Sequence, residues 1–485
     1  MSERHCSVVV LGGGPGGYEA ALVAAQLGAS VTVIERDGVG GAAVLTDCVP
    51  SKTLISTADS MALLGQAAGL GVRFAAPGRR SASGATPEAE PGSVPDGVAW
   101  ADLPAVNKRV LGLADAQSHD IAARLEADGV RVCRGLGRLT SPTSVRVDFP
   151  TGETEQLRAD VVLVATGATP RVLPSARPDG ERILTWQQIY ALPELPERLI
   201  VIGSGVTGAE LAHAYLGLGS DVVLVSSRDR VLPGEDADAA TVIEDVFRRR
   251  GMQVLSRSRA AAVERTESGV VVRLEDGRLL HGSHALLAVG SVPQTAGMGL
   301  GEAGVELTPA GHVEVDRVSR TSVRGIYAAG DCTGVLPLAS VAAMQGRIAM
   351  WHALGDAVAP LNLRGVSANI FTDPEIATVG HTQRDIDEGR IQARALTLPL
   401  ATNPRAKMQN VTDGFVKLLA RTGTNVVVGG VVVAPRASEL IFPVALAVQH
   451  NLTVDQVAQT ITVYPSMSGS IAEAARRLHP MDSLG

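Results

Sequence analysis

Between Gly40 and Lys52 the chain reads Gly-Gly-Ala-Ala-Val-Leu-Thr-Asp-Cys-Val-Pro-Ser-Lys. A proline near a helix start is well placed, because the N–H it lacks would be unpaired there anyway. Pro50, Ser51 and Lys52, followed by the apolar Leu54 and Ile55, therefore predict a helix that begins just after Cys48. A cysteine at that position meets the positive end of the helix dipole, and Lys52 one turn on adds charge of the same sign. Both favour the thiolate, the reactive form of the side chain.

Two other stretches carry residues with a chemical purpose. Gly12, Gly14 and Gly17 fit G-x-G-x-x-G, between an apolar run at Ser7–Leu11 and an Ala-rich helical run at Tyr18–Leu27. A second apolar run, Val31–Ile34, ends at Glu35. Strand, glycine turn, helix, strand and acid form the unit that cradles a dinucleotide: the pyrophosphate rests on the helix N-terminus and the acid accepts from the ribose hydroxyls. The pattern recurs as Leu199–Ile202, then Gly203, Gly205 and Gly208, a helix over Ala209–Leu218, and a strand over Val222–Val225. This internal repeat implies two nucleotides in one chain. The second unit lacks the acid. Ser226 stands in its place, with Arg228 and Arg230 just beyond, a set that suits a 2′-phosphate or, in the plainer reading, a solvated turn. NADPH is the expected donor, with NADH also used.

The elements that must position these residues are α/β throughout. Leu103–Asp128 has helical spacing, Val130–Val132 reads as a strand before a turn at Arg134–Gly137, and Ser144–Leu157 reads as a hairpin. Asp160–Ala165 is a buried strand leading into Ala-Thr-Gly-Ala-Thr-Pro at 165–170, echoed by 285–295. Gly325–Asp331 delivers a carboxylate to a turn, and Val341–His352 is a helix. Phe74–Val98, rich in Pro, Gly, Ser and Ala without periodicity, reads as a surface loop.

A chain of 485 residues has room for about three domains. Its net charge of −7 argues against a nucleic-acid surface, which needs a basic face. The cysteines, Cys6, Cys48, Cys133 and Cys332, are too scattered for a metal site or a disulfide framework. The start, Met-Ser-Glu-Arg-His, shows no signal-peptide pattern, and no apolar run approaches the roughly 18 residues that span a bilayer. A cytoplasmic location without a membrane span is expected.

Taken together, Gly40–Lys52, both glycine units, Ala165–Pro170, Gly325–Asp331 and Asn369–Gly380 resemble the flavoprotein disulfide reductases, the class I pyridine nucleotide-disulfide oxidoreductases that include lipoamide dehydrogenase. The resemblance spans nearly the whole chain apart from the loop after Phe74. It implies two Rossmann-like domains, for FAD and NAD(P), plus an α+β C-terminal dimerisation domain. The implied limits are 1–170 for the first part of the FAD domain, 171–290 for the NAD(P) domain, 291–360 for the FAD domain's return and 361–485 for dimerisation. By the same resemblance, Gly12, Gly14, Gly17, Glu35, Arg36, Gly41, Lys52, Gly137, Thr166, Gly167, Asp331 and Ala339 bind FAD. Gly203, Gly205, Gly208, Ser226, Arg228 and Gly290 bind NAD(P), and Lys52 and Glu210 form an ion pair beside the flavin and nicotinamide.

Two departures from the family pattern agree with each other. The family carries Gly-Gly-Thr-Cys, four residues, then a second cysteine; here Ala43 replaces the first and Cys48 stands alone, so no internal disulfide can form. The family's proton-shuttling His and its orienting Glu correspond to Tyr464 and Gly469. A phenol, titrating at about 10, is a poor base at neutral pH. A chain without the dithiol has no need of the base that serves it. The combination resembles the NAD(P)H quinone reductase branch, which implies hydride transfer from NADPH or NADH through FAD to a quinone, in a homodimer, with Lys52, Glu210, Cys48 and Tyr464 as catalytic candidates. A pyridine-nucleotide transhydrogenase, a disulfide reductase using an external thiol with Cys48, and a non-catalytic FAD-bound scaffold are the alternatives.

Overall fold

A computed structural model of the chain describes residues 6–72 and 99–479. The expected surface loop at Phe74–Val98 lies outside them. The chain divides into two compact units.

The first unit takes the chain up to Lys52, Asn107–Val172 and Val289–Asn362. Its centre is a five-stranded parallel sheet in the order Ile326–Ala328, Val161–Val164, Ser7–Leu11, Ser30–Glu35, Arg131–Arg134. Val8, Val10, Val33 and Leu163 are fully buried in it, as expected for strands covered on both faces and therefore apolar without alternation. Helix Pro15–Gln26 follows the first strand and packs on helix Ala339–Ala353 at very short range: a Cβ on Gly346 would sit 2.0 Å from the Gly16 carbonyl oxygen. Small residues at the crossing are what let the glycine turn and the later helix share one end of the sheet. The expected hairpin is present as Ser144–Asp148 and Thr154–Arg158, within a three-stranded antiparallel sheet whose third strand is Leu136–Ser141. Gly137 thus lies in a strand, not in the expected turn; its missing side chain leaves room for Leu11 and Ile34, 2.6 and 3.0 Å from where a Cβ would be.

The second unit takes Thr53–Val106, Leu173–Ala288 and Leu363 onward. It holds a second parallel sheet, ordered Gln253–Leu255, Asp221–Val225, Arg198–Ile202, His284–Leu287, Ile183–Thr185. A five-stranded antiparallel sheet follows, ordered Ser367–Ile370, Glu375–Gly380, Val427–Ala434, Phe415–Arg421, Ala393–Pro399. Helices Ala437–Gln449 and Gly469–Leu478 bury Ile441, Val444, Ile471 and Ala474 against it. The two sheets of this unit are tied by an ion cluster. Lys417 Nζ reaches Asp236 at 2.8 Å and Asp238 at 2.7 Å, and Asp236 also caps helix Ala237–Arg249 by accepting from two of its first N–H groups. The fold class is the one the sequence implied. Among the described residues no helix is long and apolar enough to cross a membrane.

Candidate dinucleotide and electron-transfer site

The glycines of the two G-x-G-x-x-G turns divide the same three tasks. Gly12 and Gly203 take positive φ, +100° and +111°, values that L side chains avoid. Gly17 and Gly208 allow close approach: a Cβ on either would lie 1.9 Å from the carbonyl oxygen of Gly12 or Gly203. Gly14 and Gly205 differ from both, because nothing lies within 4 Å of their Cβ positions. Each is the N-cap of its helix, Pro15–Gln26 or Val206–Leu218, and neither helix start has a side-chain cap. Open space in front of uncapped N–H groups is what a pyrophosphate needs.

Around the first turn, Glu35 is pre-oriented. Its Oε2 accepts from Gly13 N at 2.5 Å and its Oε1 from Asp37 N at 2.9 Å. Arg36 forks onto Asp37 at 2.7–3.1 Å and is exposed, an ion pair with its own neighbour. Gly41, at φ +56°, brings the next segment over the turn: its Cβ would be 2.8 Å from Gly14 Cα, and Gly40 N donates to Gly13 O at 2.8 Å. The short helix Gly41–Leu45, which contains Ala43, and the helix Cys48–Gln66 follow. Cys48 is the first helical residue rather than the residue before it, and Lys52 is one turn along; both are half-buried. None of the four cysteines is in a disulfide.

Asp331 opens the short turn after strand Ile326–Ala328, preceded by Gly330 at φ +83°. Burial pushes its carboxyl above the ordinary range, partly offset by the neighbouring His312. No donor among the described residues bonds this carboxylate, so it fits the hydroxyls of a bound ligand. Gln345, fully buried, braces the turn by accepting from Gly330 N at 2.9 Å. Nothing in the apolar pattern of its helix marks that residue. Ala339 is the first residue of the same helix. Thr166 uses its side chain within the fold. Its hydroxyl donates to Gln294 O at 2.6 Å and Gln294 N donates to Gly167 O at 2.9 Å, so this side chain closes the crossover between strands 168–170 and 291–293. Gly167 and Gly290 take positive φ, +68° and +88°, in open surroundings.

In the second unit Glu210 is buried on the helix after Gly205, its carboxylate accepting from Phe371 N at 2.9 Å. Ser226 stands where Glu35 stands in the first unit: Gly12 N donates to Ile34 O, and Gly203 N to Val225 O. Yet its side chain is turned inward. It is 0% exposed, pairs with Ser204 Oγ at 2.7 Å and accepts from Arg228 N at 3.1 Å. Ser226 shapes the loop and offers no hydroxyl to a ligand, a correction to its expected binding role. Ser204, inside the glycine turn, is the partner that sequence reasoning missed. Arg228 is exposed, while Arg230 sits 3.8 Å from Asp229.

Tyr464 is 81% exposed, next to Val463 and Ile461 at 78% and 98%. Gly469 starts helix Gly469–Leu478, where Ser466 Oγ accepts from its N–H at 3.1 Å.

Two parallel sheets, each ending in the same three-glycine turn, define an enzyme with two dinucleotide sites. The pyridine nucleotide-disulphide oxidoreductase profile matches residues 6–346, and the dimerisation-domain profile of the same family matches 366–475. The chain is 54% identical over 486 residues to an NAD(P)H dehydrogenase (quinone) of Mycobacterium tuberculosis, covering 98% of this chain and 94% of that one. It is 32% identical over 472 residues to a dihydrolipoyl dehydrogenase of Bacillus subtilis, covering 96% and 95%. The crystal structure of LpdA from Mycobacterium tuberculosis superposes with a TM-score of 0.90 at 54% identity, over 98% of this chain and 100% of that one. The flavoprotein disulfide reductase RclA of Escherichia coli, at 24% identity and TM-score 0.83 over 97% and 99%, shares the fold. The chain belongs to the pyridine nucleotide-disulphide oxidoreductase family, whose cofactors are FAD and NAD(P)H.

Proposed function

We propose that the chain is an NAD(P)H:quinone oxidoreductase that works without a redox disulfide, with NADPH used at least as well as NADH. The observation that carries the reading is near full-length identity of 54% to a protein named for quinone reduction. The lone Cys48, with Ala43 where a first cysteine would stand, and Tyr464 and Gly469 in place of a His–Glu pair, support it from the chain's own residues.

FAD, when bound, supplies a two-electron path between nicotinamide and acceptor. The protein's part is to hold and orient. The open N-terminus beyond Gly14 receives the pyrophosphate, Glu35 the adenosine ribose, and the desolvated Asp331 a ribityl hydroxyl. Gly205 and the loop at Arg228 do the same for NADPH. Lys52 supplies positive charge at the isoalloxazine side of the first unit. Glu210, held by Phe371 N, orients the nicotinamide side. With one thiol there is no second sulfur to close a disulfide, so the acceptor is a diffusible molecule. A quinone suits, being flat and a two-electron acceptor.

We assign the working unit as a homodimer. Ile461, Val463, Tyr464 and Phe442 are large apolar side chains left exposed in the segment that matches the dimerisation profile, and covering them removes the cost of leaving them wet. Tyr464 then acts in acceptor binding and not in reduction by NADPH.

An acceptor panel tests the proposal: NADPH oxidation with menadione, benzoquinones, thio-NAD, lipoamide and an aromatic disulfide. Turnover is expected with quinones and not with lipoamide. Robust lipoamide reduction overturns it, and thio-NAD as the best acceptor makes the chain a transhydrogenase instead. Sedimentation of the protein with Tyr464→Ala, and stopped-flow separation of its half-reactions, test the dimer and the tyrosine. A fully active monomer ends the first assignment. Unchanged quinone reduction ends the second.

A further inference from the structure

Arginines around the second dinucleotide turn are nearly all neutralised. From Arg198, 3.2 Å from Asp221, to Arg278, 2.6 Å from Asp276, each has a carboxylate partner except two. Arg228 and Arg257 form no ion pair with any described residue, and both are exposed. They are far apart in sequence and adjacent in space. Arg228 follows strand Asp221–Val225 and Arg257 follows strand Gln253–Leu255, its direct neighbour in the parallel sheet.

The backbone laces the two loops together. Arg257 N donates to Arg228 O at 2.7 Å, Ser258 N to Ser226 O at 2.7 Å, and Ser226 N to Leu255 O at 2.9 Å. The buried Ser226 hydroxyl takes Arg228 N from the other side. Arg257 itself has φ +52°, a conformation that residues with side chains rarely adopt. The backbones that carry two arginines are thus bonded side by side at the C-terminal edge of a parallel sheet, and neither arginine has a counter-ion among the described residues. That edge is where open α/β sheets bind ligands, and paired guanidiniums are suited to a phosphate.

We propose that Arg257, together with Arg228, clamps the 2′-phosphate of NADPH, so that Arg257 is a specificity-determining residue contributed by a different loop from the one that replaces the acid. Arg230, which lies 3.8 Å from Asp229, is left out of the clamp. The inference rests on the NADPH reading above and assigns which groups produce it.

Calorimetric binding of 2′,5′-ADP and of AMP to the FAD-loaded protein tests both levels, since the two ligands differ by the 2′-phosphate alone. The natural protein is expected to bind 2′,5′-ADP at least about tenfold tighter than AMP, a charge-assisted preference. Arg257→Ala and Arg228→Ala should each remove most of that preference while AMP binding changes less than about twofold. Arg273→Ala, which removes an equal charge paired with Glu264 elsewhere on the unit, should change neither. If the natural protein does not distinguish the two ligands, the NADPH reading itself is wrong. If it does, and Arg257→Ala keeps the preference that Arg228→Ala loses, the NADPH reading stands and the clamp is overturned.

Discussion

In the first dinucleotide unit, strand Ser30–Glu35 ends in a carboxylate that reaches back to the glycine turn and accepts from Gly13 N. In the second, strand Asp221–Val225 ends in Ser226, whose hydroxyl turns inward to Ser204 and Arg228 N. The backbone of the two turns is nearly the same, down to the identical 1.9 Å approach at Gly17 and Gly208. What differs is the charge placed at the end of the second strand. A carboxylate there accepts from ribose hydroxyls and repels a phosphate. A buried neutral pair removes the repulsion and leaves the edge to arginines. One supersecondary unit can therefore serve two different nucleotides by changing a single strand-terminal side chain and what packs around it.

The glycine turns offer the most severe way to break the comparison. Gly17→Val and Gly208→Val each drive a side chain into a carbonyl oxygen, at a cost of roughly 3 kcal/mol or more. The first should yield colourless protein without FAD. The second should stay yellow but lose at least about a hundredfold in reduction by NADPH, read by anaerobic stopped-flow at the flavin band. A yellow Gly17→Val protein reduced at the natural rate would contradict the assignment of the first unit.

The ion pairs give a second contrast, in stability. Lys417 and Asp236 have side chains only 3% exposed, so Lys417→Met leaves a buried carboxylate uncompensated and should cost about 3–5 kcal/mol. Arg347–Glu19, which joins the two packed helices of the first unit, is more exposed, and Arg347→Met should cost under about 1 kcal/mol. Denaturant unfolding measures both, and equal losses would mean that burial does not set the difference.

Ser226→Ala refines the comparison. It removes the acceptor of Arg228 N, which should cost about 1 kcal/mol in stability. NADPH affinity should weaken by a few-fold relative to NADH as the arginine loop relaxes. An unchanged ratio would show that the inward hydroxyl does not position the loop.

The smallest effect concerns pH and the first unit alone. Burial raises the carboxyl of Asp331 in the folded state. For such a group the stabilising contribution is present below its ordinary value and is lost as pH rises through the raised one. The FAD-free protein should therefore gain stability from Asp331→Asn at about pH 8 but little at about pH 4, while the same substitution weakens FAD retention. If Asp331→Asn instead destabilises the FAD-free protein at the higher pH, the carboxylate has a structural partner and is not reserved for a ligand.

What could be read from sequence was what local sterics dictate. Gly12 and Gly17, and their repeats at Gly203 and Gly208, are demanded by the turn itself, because only a residue without Cβ tolerates the φ or the approach; Gly14 and Gly205 belong to the same spacing and leave the helix start open. Lone Cys48, Ala43, Tyr464 and Gly469 were equally legible, since the absence of a sulfur or a base needs no coordinates to establish. Side-chain direction and distant partners were not legible. The inward turn of Ser226 depends on Ser204, 22 residues away; the Thr166 hydroxyl is taken by a carbonyl 128 residues on; and Lys417 finds Asp236 across 181 residues. Arg257 lies beside Arg228 only because two parallel strands run in one register. Periodicity and motif spacing report what one stretch of backbone must do. Which side chains then meet is decided by strand order and register, and those arise only when the chain closes on itself.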